Sequence, residues 1–383
     1  MSYKKLGDIV KFISNKNVDG IATILYGINI DKYFMPSVAN TIGVDLKKYK
    51  VVVKNQFACN RMHVGRDERI PISMSTFDYP FIVSPAYDVF EVTDENVIPE
   101  YLMLWFRRNE FDRQCWFYTD ADVRGGLSLD ALKSIEIRIP SIEKQRELVA
   151  QYQAVANKIK VNEQICEKLE ATAQTLYKQW FVDFEFPIEE GKLYKSSGGA
   201  MIYNQELEKE IPEGWEVGLL SDLITVKYGK DYKHLNNGNI PLYGSGGIMS
   251  YVDEILYDKP SVLIPRKGSL NNILYIKTPF WSVDTMFYTI PKIDYTLIYV
   301  FNVLSKMDFN SLNVGSAVPS MTTEYLNSMQ ILIPENNVLK VFDFELNQLE
   351  DYKISINNQN QKLTQLQSLL LSRLATLEGV NYN

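Results

Sequence analysis

Cysteine and histidine are scarce in this sequence, and their scarcity narrows the chemistry that the chain can carry. The 383 residues include three cysteines, Cys59, Cys115 and Cys166, and two histidines, His63 and His234. No Cys-x-x-Cys or His-x-x-x-His spacing occurs, so we expect reduced thiols and neither a zinc site nor a disulfide framework. Neither histidine has a sequence context typical of a catalytic triad or of a metal site.

Long apolar runs are also missing. No stretch reaches the roughly 18 uncharged apolar residues that a membrane-spanning helix needs. Residues 1–10 contain Lys4, Lys5 and Asp8 without an apolar core, so we expect no signal peptide and a cytoplasmic location. Hydrophobic residues still make up 46% of the sequence. That share, with this length, is enough for two or three packed domains.

Motifs of DNA-modifying and DNA-translocating enzymes are not found either. There is no Asn/Asp-Pro-Pro-aromatic sequence and no Walker A sequence. The one Gly-x-Gly sequence, within Gly244-Ser-Gly-Gly247, precedes no helical pattern, and we interpret it as a turn. These observations argue against a methyltransferase or a helicase in this chain.

The net charge of −7 is the main compositional objection to nucleic-acid binding. Two stretches nevertheless contain more basic than acidic residues. Residues 54–69 hold four basic and two acidic residues, and residues 259–277 hold four basic residues and no acid. Local charge decides contacts, so each stretch either faces phosphates or forms an ordinary solvated surface.

An internal repeat organises the chain. Residues 130–140 (DALKSIEIRIP) match residues 324–334 (EYLNSMQILIP) at a separation of 194, and residues 6–10 (LGDIV) match residues 220–224 (LSDLI) at a separation of 214. The difference of about 20 residues predicts a loop insertion in the first copy. Each copy is therefore predicted as a globular domain, a strand that ends in Ile-Pro, and a long helix.

Both long helices carry a heptad seam in the same register. Its positions alternate four and three residues apart in the first helix: Leu148, Tyr152, Val155, Ile159, Asn162, Cys166, Leu169, Ala173, Leu176 and Trp180. The equivalent positions of the second helix follow 194 residues later: Phe342, Leu346, Leu349, Lys353, Ile356, Asn360, Leu363, Gln367, Leu370 and Leu374. Such a seam predicts a coiled coil, and an amphipathic helix packed on its own domain is the alternative.

The predicted organisation has five segments. They are a first domain at 1–140, a first long helix at 141–186, a linker at 187–210, a second domain at 211–334 and a second long helix at 335–378. Apolar and β-branched runs predict strands at 49–53, 81–85, 89–92, 135–139, 261–265, 272–276 and 286–290. A helix is predicted from Pro99 to Phe111. The fold class is therefore α+β, with two mixed α/β domains.

Basic, amide and hydroxyl side chains in loops are the candidate DNA contacts, because arginine pairs with guanine, asparagine and glutamine pair with adenine, and lysine contacts phosphate. The candidates are Lys54, Asn55, Gln56, Asn60, Arg61, Arg66 and Arg69 in the first domain, and Lys230, Lys233, Arg266, Lys267, Ser269 and Asn271 in the second. Ordinary loop chemistry is the alternative for each. The aromatic run 180–186 is either a base-stacking platform or, as we favour, packing at the helix end.

Several motifs together resemble the specificity subunit of type I restriction-modification systems. They are Ile137-Arg-Ile-Pro140 followed by Glu143-Lys-Gln145, Leu176-Tyr-Lys-Gln-Trp-Phe181, Ile211-Pro-Glu-Gly-Trp215 and Tyr243-Gly-Ser-Gly-Gly247. The chain departs from the family pattern near Met1, where Tyr3-Lys-Lys-Leu-Gly-Asp8 replaces the Pro-Glu-Gly-Trp motif. It also departs at Pro334-Glu-Asn-Asn337, the start of the second helix.

The resemblance implies two target-recognition domains, each reading half of a split sequence in double-stranded DNA. It implies two helices packed as an antiparallel coiled coil, which set the spacer and bind two DNA methyltransferase subunits. S-adenosylmethionine would belong to those subunits, with no cofactor in this chain and no catalysis. A restriction subunit would add ATP-driven translocation and cleavage. Two alternatives stay open: a coiled-coil scaffold that never touches DNA, and a methyltransferase or nuclease with unrecognised motifs.

Overall fold

The computed structural model describes residues 2–39, 43–62, 64–119, 125–311 and 320–376. His63 and the last two residues of the predicted second helix, 377–378, lie outside these ranges. The chain divides into two compact units. Unit 1 contains Met1–Asn162 and Asn358–Asn383, and unit 2 contains Glu163–Asn357. Each unit therefore combines one globular domain with part of each long helix.

The elements of the first domain alternate short strands and short helices. Its strands are β1 (Ser2–Lys5), β2 (Val10–Ile13), β3 (Tyr26–Ile28), β4 (Phe34–Pro36), β5 (Lys50–Val52), β6 (Phe57–Cys59), β7 (Ile72–Met74), β8 (Phe81–Val83), β9 (Asp88–Val92) and β10 (Glu136–Ile139). Its helices are α1 (Leu6–Ile9), α2 (Val64–Asp67), α3 (Pro99–Phe106), α4 (Asn109–Phe117) and α5 (Leu129–Ser134), with a 3-10 turn at Leu46–Lys48.

A four-stranded antiparallel sheet in the order β2-β9-β6-β7 is the centre of unit 1. Phe57 on β6 stacks on Phe90 of β9 with ring centroids 5.0 Å apart, and Phe106 of α3 meets Phe57 edge-on at 5.7 Å. The core thus lies between this sheet and α3. Strand β1 pairs with β10, the strand that directly precedes the first long helix. Residues 2–5 therefore lie beside the segment that leads into that helix.

The first long helix, α6 (Ile142–Phe181), leads into the second domain. The strands there are β11 (Met201–Asn204), β12 (Lys209–Pro212), β13 (Glu216–Leu219), β14 (Ile224–Tyr228), β15 (Asn237–Gly244), β16 (Gly247–Val252), β17 (Ser261–Pro265), β18 (Leu274–Ile276), β19 (Trp281–Ser282), β20 (Met286–Pro291) and β21 (Gln330–Ile333). The helices are α7 (Leu220–Leu223), α8 (Leu297–Ser305), α9 (Thr323–Asn327) and the second long helix α10 (Asn336–Thr376), with a 3-10 turn at Glu189–Gly191.

Two sheets of unit 2 repeat two sheets of unit 1. The order β14-β20-β17-β18 matches β2-β9-β6-β7, and the pair β13-β21 matches β1-β10. Unit 1 adds the pairs β3-β4 and β5-β8, and unit 2 adds the pair β11-β12 and a three-stranded sheet in the order β16-β15-β19. The internal repeat predicted from the sequence is therefore confirmed in the fold, and so are the seven predicted strands, with small shifts at their ends.

Within each unit the long helices run antiparallel. In unit 1, Leu148 near the start of α6 and Leu374 near the end of α10 join one core. In unit 2, Trp180 near the end of α6 lies 5.4 Å from Phe342 near the start of α10, measured between ring centroids. All twenty seam positions predicted above are buried or half-buried. The apolar seam is what holds each helix pair together, because it removes that stripe from water.

Three segments differ from the prediction. The first long helix ends at Phe181 and not at residue 186, and residues 182–186 are not helical. The helix expected from Pro99 to Phe111 is interrupted between α3 and α4, where Arg108 takes an extended conformation with φ −73° and ψ 138°. Its guanidinium lies 4.2 Å from the Trp105 ring centroid and its side chain is buried, so packing outweighs helix propensity there. The expected linker at 187–210 contains strand β11 and the start of β12, which form an antiparallel hairpin.

Candidate nucleic-acid interface

Two of the predicted DNA contacts, Arg61 and Arg266, occupy the same position of the repeat. Strands β6 and β17 are equivalent, and Arg61 lies two residues after β6 while Arg266 directly follows β17. The carbonyl of Arg61 accepts a hydrogen bond of 3.0 Å from the Leu127 N–H, and the carbonyl of Arg266 accepts one of 2.8 Å from the Met321 N–H. Leu127 and Met321 are 194 residues apart, which is the repeat separation.

The side chain of Arg61 is engaged inside unit 1. Its Nε lies 2.5 Å from Asp88 Oδ2, with 23% of the arginine and 19% of the aspartate side chain exposed. Its Nη1 donates to the carbonyl of Leu127. Asp88 is opposite Cys59, the last residue of β6, so the sheet register itself supplies the carboxylate. Arg61 therefore joins β6, β9 and the segment before α5.

The side chain of Arg266 lacks that carboxylate. Phe287 stands at the strand position equivalent to Asp88, opposite Ile264. The Arg266 guanidinium carbon instead lies 5.4 Å from the Tyr228 ring centroid, and Nη1 donates to the Asp284 carbonyl at 3.2 Å. Within the described ranges Arg266 forms no ion pair, so most of its five N–H donors remain available to a ligand.

Backbone hydrogen bonds bring the neighbouring basic residues of unit 2 to the same turn, residues 282–286. The Lys230 N–H donates to the Ser282 carbonyl at 2.9 Å. The Arg266 and Lys267 N–H groups donate to the Thr285 carbonyl at 2.8 and 3.3 Å. The ends of β14 and β17 thus meet at one edge of unit 2, and we name residues 228–230, 266–269 and 282–286 the basic edge.

Glycine allows this close approach of backbones. A Cβ on Gly229 would lie 2.0 Å from the Val283 carbonyl oxygen. Gly268 has a φ of +84°, which side chains of L-residues rarely tolerate, and a Cβ there would lie 2.6 Å from Ser245 Oγ. Ser245 belongs to the turn between β15 and β16, so the Gly244–Gly247 sequence is the turn that was predicted.

The lysines of the second domain are open to solvent. Lys230, Lys233 and Lys267 are exposed, and none of the three has an ion-pair partner in the part of the chain that the structure describes. Ser269 is exposed as well. Asn271 is different, because its Nδ2 donates to Asp308 Oδ1 at 2.9 Å and thereby holds a neighbouring loop. The basic edge therefore offers Lys230, Lys267 and Ser269 beside Arg266.

The basic candidates of the first domain are mostly paired. Lys54 Nζ lies 2.5 Å from Asp78, Arg66 Nε lies 2.7 Å from Asp67, and Arg69 lies 3.9 Å from Asp31. All three basic side chains are at least half exposed, and exposed pairs contribute little. These ion pairs therefore hold the three basic side chains only weakly.

The amide candidates of the first domain serve local structure. Gln56 Nε2 donates to Glu91 at 3.0 Å, and Asn60 Oδ1 accepts from the Met62 N–H at 3.1 Å. Asn55 is exposed and has a φ of +67°, the conformation of a tight turn. Sequence reasoning missed Asp88 and Tyr228, the residues that set the two arginines apart. No local sequence pattern marks either residue, because the strand registers of the folded chain place both of them.

Other candidate chemistry is limited. Burial raises the pKa of the Cys59 and Cys115 thiols, so both stay protonated and unreactive. The described residues include no group of three or more His, Cys, Asp and Glu side chains placed to hold a metal ion.

The rings of the aromatic run, Trp180, Phe181, Phe184 and Phe186, are 3–5% exposed and belong to the core of unit 2, which agrees with the packing alternative. No described helix is long and apolar enough to cross a membrane.

Comparison with known protein families agrees with the resemblance that the sequence motifs indicate. The family profile for the type I restriction modification DNA specificity domain matches residues 2–171 and 212–368. Each matched segment includes one globular domain and most of the long helix that follows it.

Two relatives and one crystal structure extend along most of the chain. The type I restriction enzyme MjaIX specificity subunit of Methanocaldococcus jannaschii is 28% identical over 324 residues, covering 74% of this chain and 69% of that protein. The HindI specificity subunit of Haemophilus influenzae is 20% identical over 457 residues, covering 96% and 97%. The type I S subunit structure from M. genitalium has a TM-score of 0.62 at 12% identity, covers 97% of this chain and 95% of its own, and shares the fold.

Proposed function

This chain belongs to the type I restriction-modification DNA specificity family, and we propose that it reads a two-part sequence in double-stranded DNA and directs methyltransferase subunits to it. The observation that best supports this proposal is the internal repeat. The helix seam is duplicated in one register, whereas the loops at equivalent places differ, as at Arg61 and Arg266. Equal helices with unequal loops suit a protein that holds one kind of partner while reading two different half-sites.

Local charge supports DNA as the ligand despite the net charge of −7. Phosphate contacts need basic side chains on one face and do not require a basic protein. The basic edge of unit 2 places Lys230, Arg266 and Lys267 around one turn without paired carboxylates among the described residues. A scaffold that binds no nucleic acid would not need these three basic side chains around one turn.

The duplication also supports two methyltransferase subunits as partners. A protein that binds one copy of the domain and helix finds an equivalent surface on the second copy. We assign catalysis and S-adenosylmethionine to those partners, and no cofactor to this chain. Restriction subunits, where they join, would supply cleavage. We expect such a complex in the cytoplasm, where it meets the chromosome.

The test is reconstitution of this chain with a DNA methyltransferase subunit of a type I system as the candidate partner. The purified proteins are incubated with genomic DNA and S-adenosylmethionine, alone and together, and methylated adenines are mapped by sequencing. We expect methylation at one bipartite motif only when both proteins are present. Methylation by this chain alone would assign the catalysis to it and contradict the proposal. Methylation that is the same with and without this chain would favour the scaffold.

A further inference from the structure

We infer that Arg266 reads a guanine in the half-site of the second domain, whereas Arg61, at the same position of the repeat, holds unit 1 together and reads no base. This inference rests on the proposed function and names a residue that sets specificity in it. It follows from the different surroundings of the two arginines.

The available donors of Arg266 fit a guanine edge. Guanine presents O6 and N7 as two acceptors in the major groove, and an arginine binds them with two parallel N–H donors. Arg266 uses Nη1 for the Asp284 carbonyl, which leaves Nε and Nη2 without a partner among the described residues. A lysine or an asparagine at this place would not present the same planar fork.

The position of the guanidinium is already restricted. Its contact with the Tyr228 ring, 5.4 Å from the centroid, and its hydrogen bond to Asp284 limit the rotamers that the side chain explores. A side chain held before binding loses less entropy when it meets its ligand. The Arg266 side chain is therefore restricted in position while Nε and Nη2 have no partner among the described residues. We expect this combination in a residue that reads a base.

Lys230 and Lys267 supply the contacts that do not depend on sequence. Both are exposed cations whose backbones bond to the same turn as Arg266. A lysine is a flexible point charge, which suits phosphate oxygens on either side of the base that Arg266 contacts. The basic edge thus combines positioning contacts with one discriminating contact.

Arg61 already uses donors on two of its three nitrogens inside unit 1. Its Nε is paired with Asp88, and its Nη1 donates to Leu127. Freeing that fork for a base would leave Asp88, which is 19% exposed, without its cation. Removing one partner of a largely buried charge pair is costly, so the pair keeps its role inside the fold.

The experiment uses the reconstituted complex and a DNA library randomised at every position of the target, with methylated products counted for each base. Arg266→Ala should reduce discrimination at one guanine of the second half-site by about 5- to 150-fold, the effect of one bidentate contact. Arg266→Lys should keep overall binding within a few-fold and still lose that discrimination. Lys306→Ala, an exposed lysine at the end of α8, is the matched control and should leave the motif unchanged.

Arg61→Ala and Arg61→Lys test the other half of the inference. Arg61→Ala should lower the thermal midpoint of the chain, and the complexes that remain folded should methylate the unchanged motif. Arg61→Lys preserves a charge for Asp88 and should keep both stability and motif. If either variant relaxes one base position as strongly as Arg266→Ala does, the asymmetry is overturned.

Failure of the inference is distinguishable from failure of the proposed function. An unchanged motif with Arg266→Ala, or a uniform loss of binding to all sequences, overturns base reading by Arg266 while the wild-type chain still directs methylation. If the wild-type complex methylates no bipartite motif, the proposed function fails, and the inference fails with it.

Discussion

The side-chain amide of Asn162 donates a hydrogen bond of 2.7 Å to the side-chain carbonyl of Asn360. Both residues belong to unit 1, both occupy seam positions, and Asn162 is 1% exposed. The same Asn162 amide donates to Gln359 at 2.8 Å. A buried amide costs free energy unless it is paired, so this polar pair tolerates one register of the two helices and penalises others.

Replacing Asn162 or Asn360 singly with leucine should lower the free energy of unfolding by about 1–3 kcal/mol, because the remaining asparagine loses the hydrogen bond that joins the two seam positions. The double leucine variant should cost less than the sum of the single changes, since neither seam position then carries an asparagine that has lost the other. Urea unfolding of the full chain measures both effects. Gln164→Ala, at an exposed position of α6, is the control. Additive losses would show that the two amides are not coupled.

Burial of Tyr177 should make stability depend on alkaline pH. Burial raises the pKa of Tyr177 to about 12. The phenol must stay neutral in the fold, so its contribution is complete below pH 10, the ordinary tyrosine value, and is lost as pH rises towards 12. One such group adds at most about 1.4 kcal/mol per pH unit to the slope.

Tyr177→Phe removes this ionisation, and among the residues that the structure describes the Tyr177 hydroxyl forms no hydrogen bond that the change would break. The thermal midpoint of the variant should therefore fall less steeply between pH 10 and pH 12 than that of the parent. An identical decline in both proteins would rule out Tyr177 as a source of the pH dependence.

Gly229→Ala should disturb the basic edge. The added methyl group would lie 2.0 Å from the Val283 carbonyl oxygen, so backbone must move. We expect a loss of stability of about 1–3 kcal/mol and weaker DNA binding. Gly246→Ala is the control, because nothing lies within 4 Å of a Cβ there. Calorimetry and DNA titration of both variants test the expectation. Equal behaviour of the two would show that the close approach at Gly229 does not matter.

Lys267→Gln should change the salt dependence of DNA binding. If Lys267 contacts a phosphate, its removal should weaken binding to all sequences alike and reduce the slope of log K against log salt by about 1. The comparison is Lys306→Gln, measured by fluorescence anisotropy across the same salt series. A slope that stays at the parent value in Lys267→Gln would remove this lysine from the phosphate contacts.

The sequence by itself determined the repeat, the α+β class, the long helices and their seam. These features depend on local patterns: heptad spacing, strands that end at Ile-Pro, and apolar runs bounded by turns. Such patterns survive folding because each describes what one segment must bury. They also carried the resemblance to a family that the comparisons then established.

Only the tertiary structure decided which candidate side chains are available to a ligand. Arg61 and Arg266 look alike in the sequence, yet strand pairing places Asp88 beside one and Phe287 at the matching place near the other. Strand pairing likewise created the β11–β12 hairpin in a segment that composition predicted as a linker. Partners distant in sequence arise from sheet register and packing, and no local pattern encodes them.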